Sequence, residues 1–213
     1  MFHWFYVTQS GEMEVIMNIW ELTGTFNIYD EFSIPDESSL ETIYNIHIGQ
    51  SLLHSWKPIN ISVCKDRRIK NTKLTLCDCP LFLTHLPLMN EKALNILMPL
   101  INKSIEILPV NVPEITDPAY NYSMINVLEV IDCVDWDNTE VELLPITNDL
   151  FEVLKFSLKE ETVKNRHIFH LYERNKSIDY PAHKIYVSDK FRNIVLNNNL
   201  TGLDFIKIWS SEE

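Results

Sequence analysis

The residues with the clearest chemical potential lie between positions 132 and 142. Five acids follow a run rich in valine and isoleucine, and they are Asp132, Asp135, Asp137, Glu140 and Glu142. Their crowding suggests a calcium loop, but the spacing lacks that loop's glycine and its bidentate glutamate at the twelfth position. Two interpretations remain: a solvated strand end, or an acidic contact patch in which Trp136 is the aromatic anchor.

The cysteines and histidines do not form a recognisable reactive or metal-binding pattern. Cys77 and Cys79 are separated by one residue, whereas zinc loops usually have two to four, and no second pair follows. Free thiols, buried or half-buried, are therefore expected. His167 and His170 lie in a segment of strand-forming residues, where a spacing of three places them on opposite faces.

The chain has only four glycines, and none lies near another. A phosphate-binding loop needs closely spaced glycines, so neither a P-loop nor a dinucleotide fingerprint is present. A catalytic triad assembled from distant positions stays open, but no nucleophile has a suggestive setting. We expect a protein that is not an enzyme and that has no cofactor or metal ion.

Charge is sorted along the chain, whose formal net charge is −12. Residues 1–56 and 104–154 contain no Lys or Arg, yet they hold 8 and 11 of the 30 acidic residues. Anionic tracts on one side of a fold speed the encounter with a basic partner, by about 10 to 1000-fold at low salt. They also disfavour direct binding to nucleic acid. The alternative is that the charge only maintains solubility.

The first of these tracts contains a second candidate contact patch. Its residues are Asp30, Glu31, Asp36 and Glu37.

Overall composition, with 46% hydrophobic and 23% charged residues among 213, suits one globular domain or two small lobes. No apolar run approaches the roughly 18 residues of a membrane span, and the apolar N-terminus has no basic start. The expected location is the cytosol, away from membranes.

An internal repeat appears at an offset of 98 residues. Residues 89–98 align with residues 187–196, and residues 104–110 align with residues 202–208. Asn90 and Ser188 are good N-cap residues, each followed by an acid and then by apolar residues at helical spacing. Each copy therefore predicts a strand, a helix and a strand. Duplication and chance similarity are the two explanations, and duplication is favoured.

These patterns predict an α+β fold with mixed sheets and a few helices, in two related lobes that contain the duplicated strand-helix-strand unit. The predicted division is a β-rich N-terminal part at residues 1–79 and a second domain at residues 80–213. The repeated units lie near residues 81–112 and 184–210. One compact domain is the alternative.

Several blocks of the chain also carry a resemblance. The segments from Tyr122 to Asp135, from Ile168 to Leu171, from Ile185 to Phe191 and from Leu200 to Phe205 are similar to the motifs of a bacterial immunity-protein family from polymorphic toxin systems. The resemblance covers roughly residues 80–208. The shared motifs consist of strand cores, a helix cap and a turn glycine, so they identify a fold better than a site.

The resemblance implies a cytosolic protein that binds and neutralises a cognate toxin by forming a stoichiometric complex. The family supplies no catalytic residues, and its toxins include effectors of Rhs-type and type VI secretion proteins. The acidic tracts add that the partner is basic, for example a toxin that acts on nucleic acid or the ribosome. The alternatives are an adaptor or chaperone for a secreted effector, and an enzyme that reverses toxin damage.

Overall fold

The computed structural model describes residues 5–7, 13–25, 28–34, 43, 49–64, 75–83, 85–145, 150–172 and 184–212. Within them lie three α-helices and several sheets, most strands being short. The predicted α+β class with mixed sheets and few helices is confirmed. Asp36 and Glu37 of the second predicted patch lie outside the described residues.

Strands dominate the order of elements along the chain. The first seven are β1 (Phe5–Val7), β2 (Met13–Val15), β3 (Asn18–Gly24), β4 (Glu31–Ser33), β5 (Ile59–Asn60), β6 (Ser62–Cys64) and β7 (Leu81–Phe82). There follow β8 (Leu86–Met89), α1 (Glu91–Ile101), β9 (Ile105–Asn111), β10 (Ser123–Val127), β11 (Val130–Ile131), β12 (Glu140–Leu143) and β13 (Leu150–Lys155). The last elements are α2 (Glu160–Val163), β14 (Ile168–Leu171), β15 (Tyr186–Ser188), α3 (Asp189–Asn197) and β16 (Leu203–Ser210).

Two five-stranded sheets form the framework. The first sheet has the order β5-β9-β10-β8-β7, and the second sheet has the order β11-β14-β15-β3-β16. Each is antiparallel except at one edge, where β5 pairs with β9 and β11 pairs with β14 in parallel. Three two-stranded sheets, β1-β2, β4-β6 and β12-β13, complete the described pairing.

The two segments of the sequence repeat adopt the same local structure. In the first sheet, β8 leads through α1 to β9, and in the second sheet, β15 leads through α3 to β16. One strand lies between the two strands of each unit, namely β10 in the first sheet and β3 in the second. The central strand thus follows its unit in one copy and comes from near the N-terminus in the other.

Helices α1 and α3 begin where the sequence predicts. Asn90 accepts a hydrogen bond from the Ala93 amide (2.9 Å), and Ser188 accepts one from the Phe191 amide (3.3 Å). Each cap satisfies an amide that has no partner inside its helix. An acid follows each cap, where the positive end of the helix dipole stabilises it.

Three apolar cores hold these layers together. The central core joins helices α1 and α3 to residues of the two five-stranded sheets. It includes Met89, Leu97, Ile125, Val187, Phe191 and Val195. A second core packs residues of the first sheet, such as Leu88 and Met124, with Phe32 and Ile61 from the N-terminal part of the chain. A third core, the outer core of the second sheet, contains Ile19, Phe169, Tyr186 and Trp209. Within the described residues, no helix is long and apolar enough to cross a membrane.

Candidate functional site

The predicted acidic patch extends from the outer core of the second sheet. The patch begins directly after β11, which pairs with β14. Cys133 and Val134, which lie within the patch, are buried in that core. Val134 forms a bridge with Leu158, and the Lys159 amide donates to the Cys133 carbonyl (2.8 Å). These contacts fix the direction in which the chain leaves the core.

A tight turn at residues 135–139 then reverses the chain. The Asp135 carboxylate accepts hydrogen bonds from the Asp137 amide (3.3 Å) and from the Asn138 side chain (2.7 Å). The Thr139 hydroxyl donates to the Asp135 carbonyl (2.7 Å) and accepts from the Ser157 amide (3.1 Å). The Asp135 side chain therefore stabilises the turn, as aspartate side chains commonly do.

Trp136 is partly buried and packs against the outer core of the second sheet. Its indole N–H is buried and has no hydrogen-bond partner among the described residues. A ring in this position supports the base of the patch more than it presents an exposed anchor. Its predicted role in toxin contact stays a prediction.

The remaining acids face solvent. Asp132, Asp137, Glu140 and Glu142 are all exposed. The last two lie on β12, which pairs only with β13 among the described strands; we call this pair of strands, residues 140–143 and 150–155, the acidic ribbon. Across the ribbon, Glu140 lies opposite Lys155, and Glu142 lies opposite Glu152.

The acidic ribbon also exposes large apolar side chains. Leu154 is 63% exposed on β13, Leu143 is 45% exposed at the end of β12, and Leu144, the residue after β12, is 40% exposed. Single exposed leucines are common, and here each of the three adds exposed apolar area to the ribbon or to the residue that follows it. Carboxylates and leucines therefore share the ribbon.

The second predicted patch is at a different place in the fold. Glu31 is exposed at the start of β4, and the Asp30 carboxylate accepts a hydrogen bond from the Thr75 amide (2.5 Å). Both residues line an open cleft of about 350 Å³. Asp30 and Glu31, which are neighbours in the chain, thus both line this cleft, whereas Asp36 and Glu37 lie outside the described residues.

Two acids that the sequence patterns did not single out are buried. Glu106 lies in β9, where Ser51, the Leu52 amide (2.8 Å) and the Asn126 side chain (3.0 Å) donate to its carboxylate. Burial raises the pKa of Glu106, but these hydrogen bonds outweigh it and hold that pKa below its usual value. The signal in the sequence was an acid inside an apolar strand, Ile105-Glu106-Ile107.

Asp78 is the second buried acid, with 7% of its surface exposed. Its carboxylate accepts hydrogen bonds from Lys92 (2.9 Å), from Asn90 (3.1 Å) and from the amide and hydroxyl of Thr201 (3.0 Å each). Burial raises the pKa of Asp78, but these donors more than compensate and lower it. Asp78 therefore joins the start of α1 to the loop after α3.

The buried thiols are poor candidates for chemistry. Cys77, Cys79 and Cys133 are buried and free, and Cys64 is exposed and free. Burial raises the pKa of Cys77 and of Cys133 to about 12, so both are protonated at neutral pH and weakly nucleophilic. In the part of the chain that the structure describes, no three His, Cys, Asp or Glu side chains are placed to hold a metal ion.

Comparison with known proteins bears on the region that contains the acidic ribbon. No curated protein matches the chain. A family model described as "Immunity protein family (Imm11)" matches residues 110–210, which include β10 to β16. Residues 80–109, to which the resemblance in the sequence also extends, lie outside this match. Over residues 110–210 the expected resemblance is confirmed: this part of the chain is similar to an immunity protein family, which supports an immunity function.

Proposed function

We propose that this protein neutralises a cognate antibacterial toxin in the cytosol by binding it in a stoichiometric complex. The observation that carries the proposal is the acidic ribbon, an exposed element inside the residues that match the immunity family. Its strands carry both carboxylates and leucines, and the chain that leads into it is buried in the outer core of the second sheet. Such an element offers both attraction at a distance and apolar surface to bury on contact.

The charge of the ribbon favours a basic partner. Glu140, Glu142 and Glu152 project from it with one lysine, Lys155, and the chain from 104 to 154 contains no Lys or Arg. A toxin that acts on nucleic acid or the ribosome needs a basic face to approach phosphates. An anionic inhibitor would be steered to that face and would occlude it.

The exposed leucines would supply most of the binding energy. Burying apolar surface contributes about 25 cal/mol per Å², whereas an exposed ion pair contributes only about 0.2–1 kcal/mol. We therefore expect Leu143, Leu144 and Leu154 to be among the residues that the toxin buries on contact. The surrounding carboxylates would set the association rate and the choice of partner.

Co-expression tests the proposal directly. The toxin domain encoded beside this chain would be expressed with and without the protein, and survival would be followed by co-purification at low and high salt. We expect rescue of growth and a one-to-one complex whose association slows as salt rises. A complex that leaves the toxin active would identify an adaptor, and protection at substoichiometric dose would identify an enzyme that reverses damage.

A further inference from the structure

The cleft beside Glu31 lies where elements of different sheets meet. Gly24 and Thr25 at the end of β3 form one wall, Glu31 and Phe32 of β4 another, and Leu81 of β7 a third. The cleft has a volume of about 350 Å³. That volume is near the lower end of the roughly 300–1,000 Å³ of ligand pockets. The space suits one long side chain better than a folded element.

The walls of the cleft are fixed by backbone contacts. The Thr25 amide donates to the Gly202 carbonyl (3.1 Å), and the Asp30 amide donates to the Thr75 carbonyl (3.0 Å). Glu31 is paired with Cys64 in the β4-β6 ladder. The Phe32 ring packs edge-on against Tyr122 with 5.4 Å between ring centroids. A cleft held in this way is formed before any partner arrives.

Among the described residues that line the cleft, the charged side chains are acidic and several others are apolar. Asp30 and Glu31 are the charged members of this lining, and none of the described lining residues is basic. Tyr29, Leu81 and Leu83 add aromatic and aliphatic surface. This combination matches a side chain that has an apolar stem and a cationic end.

We propose that this cleft binds an arginine side chain of the cognate toxin. Arginine fits better than lysine because its planar guanidinium can bond two carboxylates and stack on an aromatic ring such as Tyr29. Its three-carbon stem would lie against Leu81 and Leu83. The inference rests on the proposed function for the identity of the partner, but the cleft and its charge do not depend on that function.

The cleft can be tested without the toxin. n-Butylguanidinium would be titrated into the full-length ¹⁵N-labelled protein, with the neutral isostere n-butylurea as the control ligand. We expect amide shifts at Tyr29, Glu31, Leu81 and Gly202 with the cation only. Glu31→Gln should weaken this binding about two- to fivefold, as removing one exposed ion pair does, and Glu114→Gln should not change it. Equal binding of the two ligands, or no shifts at these amides, overturns the cleft as a cation site.

A second arm uses the toxin complex. Glu31→Lys should weaken the complex about tenfold or more, because a like charge would then meet the arginine, and the matched change Glu114→Lys should leave it nearly unchanged. If the unmodified protein neutralises the toxin at one to one and Glu31→Lys binds as tightly, the inference fails and the proposed function stands. If the cation binds in the cleft but the protein forms no toxin complex, the proposed function fails and the arginine cannot be the toxin's.

Discussion

Glu142 of β12 lies directly opposite Glu152 of β13 in the acidic ribbon. Like charges that face each other across two strands destabilise the pairing, whereas the nearby pair of Glu140 and Lys155 has opposite charges. A basic partner would relieve the repulsion between the two glutamates. The repulsion between Glu142 and Glu152 therefore destabilises the free ribbon, and a bound basic partner would reduce that repulsion.

Reversing one of these charges should separate stability from binding. Glu152→Lys should raise the free energy of unfolding by about 0.2–1 kcal/mol, since it replaces a like-charged pair by an opposite pair. The same change should weaken the proposed toxin complex about tenfold or more, because it would place a cation before the basic face proposed for the toxin. Urea unfolding and a binding titration measure the two effects.

The matched control for this experiment is Glu114→Lys, which makes the same charge change at an exposed acid of the same acidic tract. It should leave both stability and binding nearly unchanged. A Glu152→Lys protein that is more stable and binds equally well would show that the ribbon is not the contact surface.

Gly202 should tolerate no side chain. Its φ is +101°, and an added Cβ would lie 2.5 Å from the Cys79 carbonyl oxygen and 2.6 Å from the Cys77 sulphur. Backbone strain and overpacking each cost about 1–3 kcal/mol, so Gly202→Ala should lower the free energy of unfolding by about 2–6 kcal/mol. Thermal or urea unfolding measures the loss.

Gly24→Ala is the control for Gly202→Ala. The three atoms nearest to a Cβ at Gly24 would all belong to the Leu81 side chain, at 3.4–3.5 Å, which is ordinary van der Waals contact. Gly24→Ala should lower the free energy of unfolding by less than about 1 kcal/mol, as is usual for substitutions that cause neither backbone strain nor overpacking. Equal losses in the two variants would contradict the close approach of Gly202 to the 77–79 segment.

The hydrogen bonds of Asp78 should be important for stability. Asp78→Ala leaves the Thr201 amide, the Asn90 amide group and Lys92 without their shared acceptor. Because bonds to a charged group contribute about 1.5–3 kcal/mol each, the loss should be at least about 3 kcal/mol. Asp204→Ala, at an exposed acid, is the control in the same unfolding experiment.

Asp78 also predicts a dependence of stability on pH. Its folded-state pKa is lowered from the ordinary value of 3.8, so the unfolded chain binds more protons at low pH. The stability it contributes is complete above pH 3.8 and is lost as the pH falls through the folded-state pKa. In acid unfolding curves, Asp78→Asn should therefore flatten the decline below pH 3.8. An unchanged slope would contradict the lowered pKa.

The local features of the fold were predictable from the sequence, and the long-range ones were not. Asn90 and Ser188 identify two helix starts because a cap, an acid and the helical period all lie within a few residues. Nothing local indicates that β3, near the N-terminus, pairs between β15 and β16. Whether residues 1–79 form a separate part stays a prediction.

The candidate site shows the same limit. The sequence shows that the acids from 132 to 142 form a group. It does not indicate that Asp135 stabilises a turn whereas Glu142 faces solvent. The hydrogen bonds of Glu106 and Asp78 could not be predicted from the sequence, because their donors come from residues up to 123 positions away. Which acids are available to a partner depends on these distant contacts.

The most direct test of neutralisation through the acidic ribbon is the residual activity of the toxin as a function of the molar ratio of this protein to it. The curve for the unmodified protein should fall linearly to zero near a ratio of one. For Glu142→Lys combined with Glu152→Lys, the curve should shift to a large excess, and for Glu114→Lys it should not move. Full protection well below a ratio of one, or unchanged curves for the ribbon variant, would contradict stoichiometric neutralisation through the acidic ribbon.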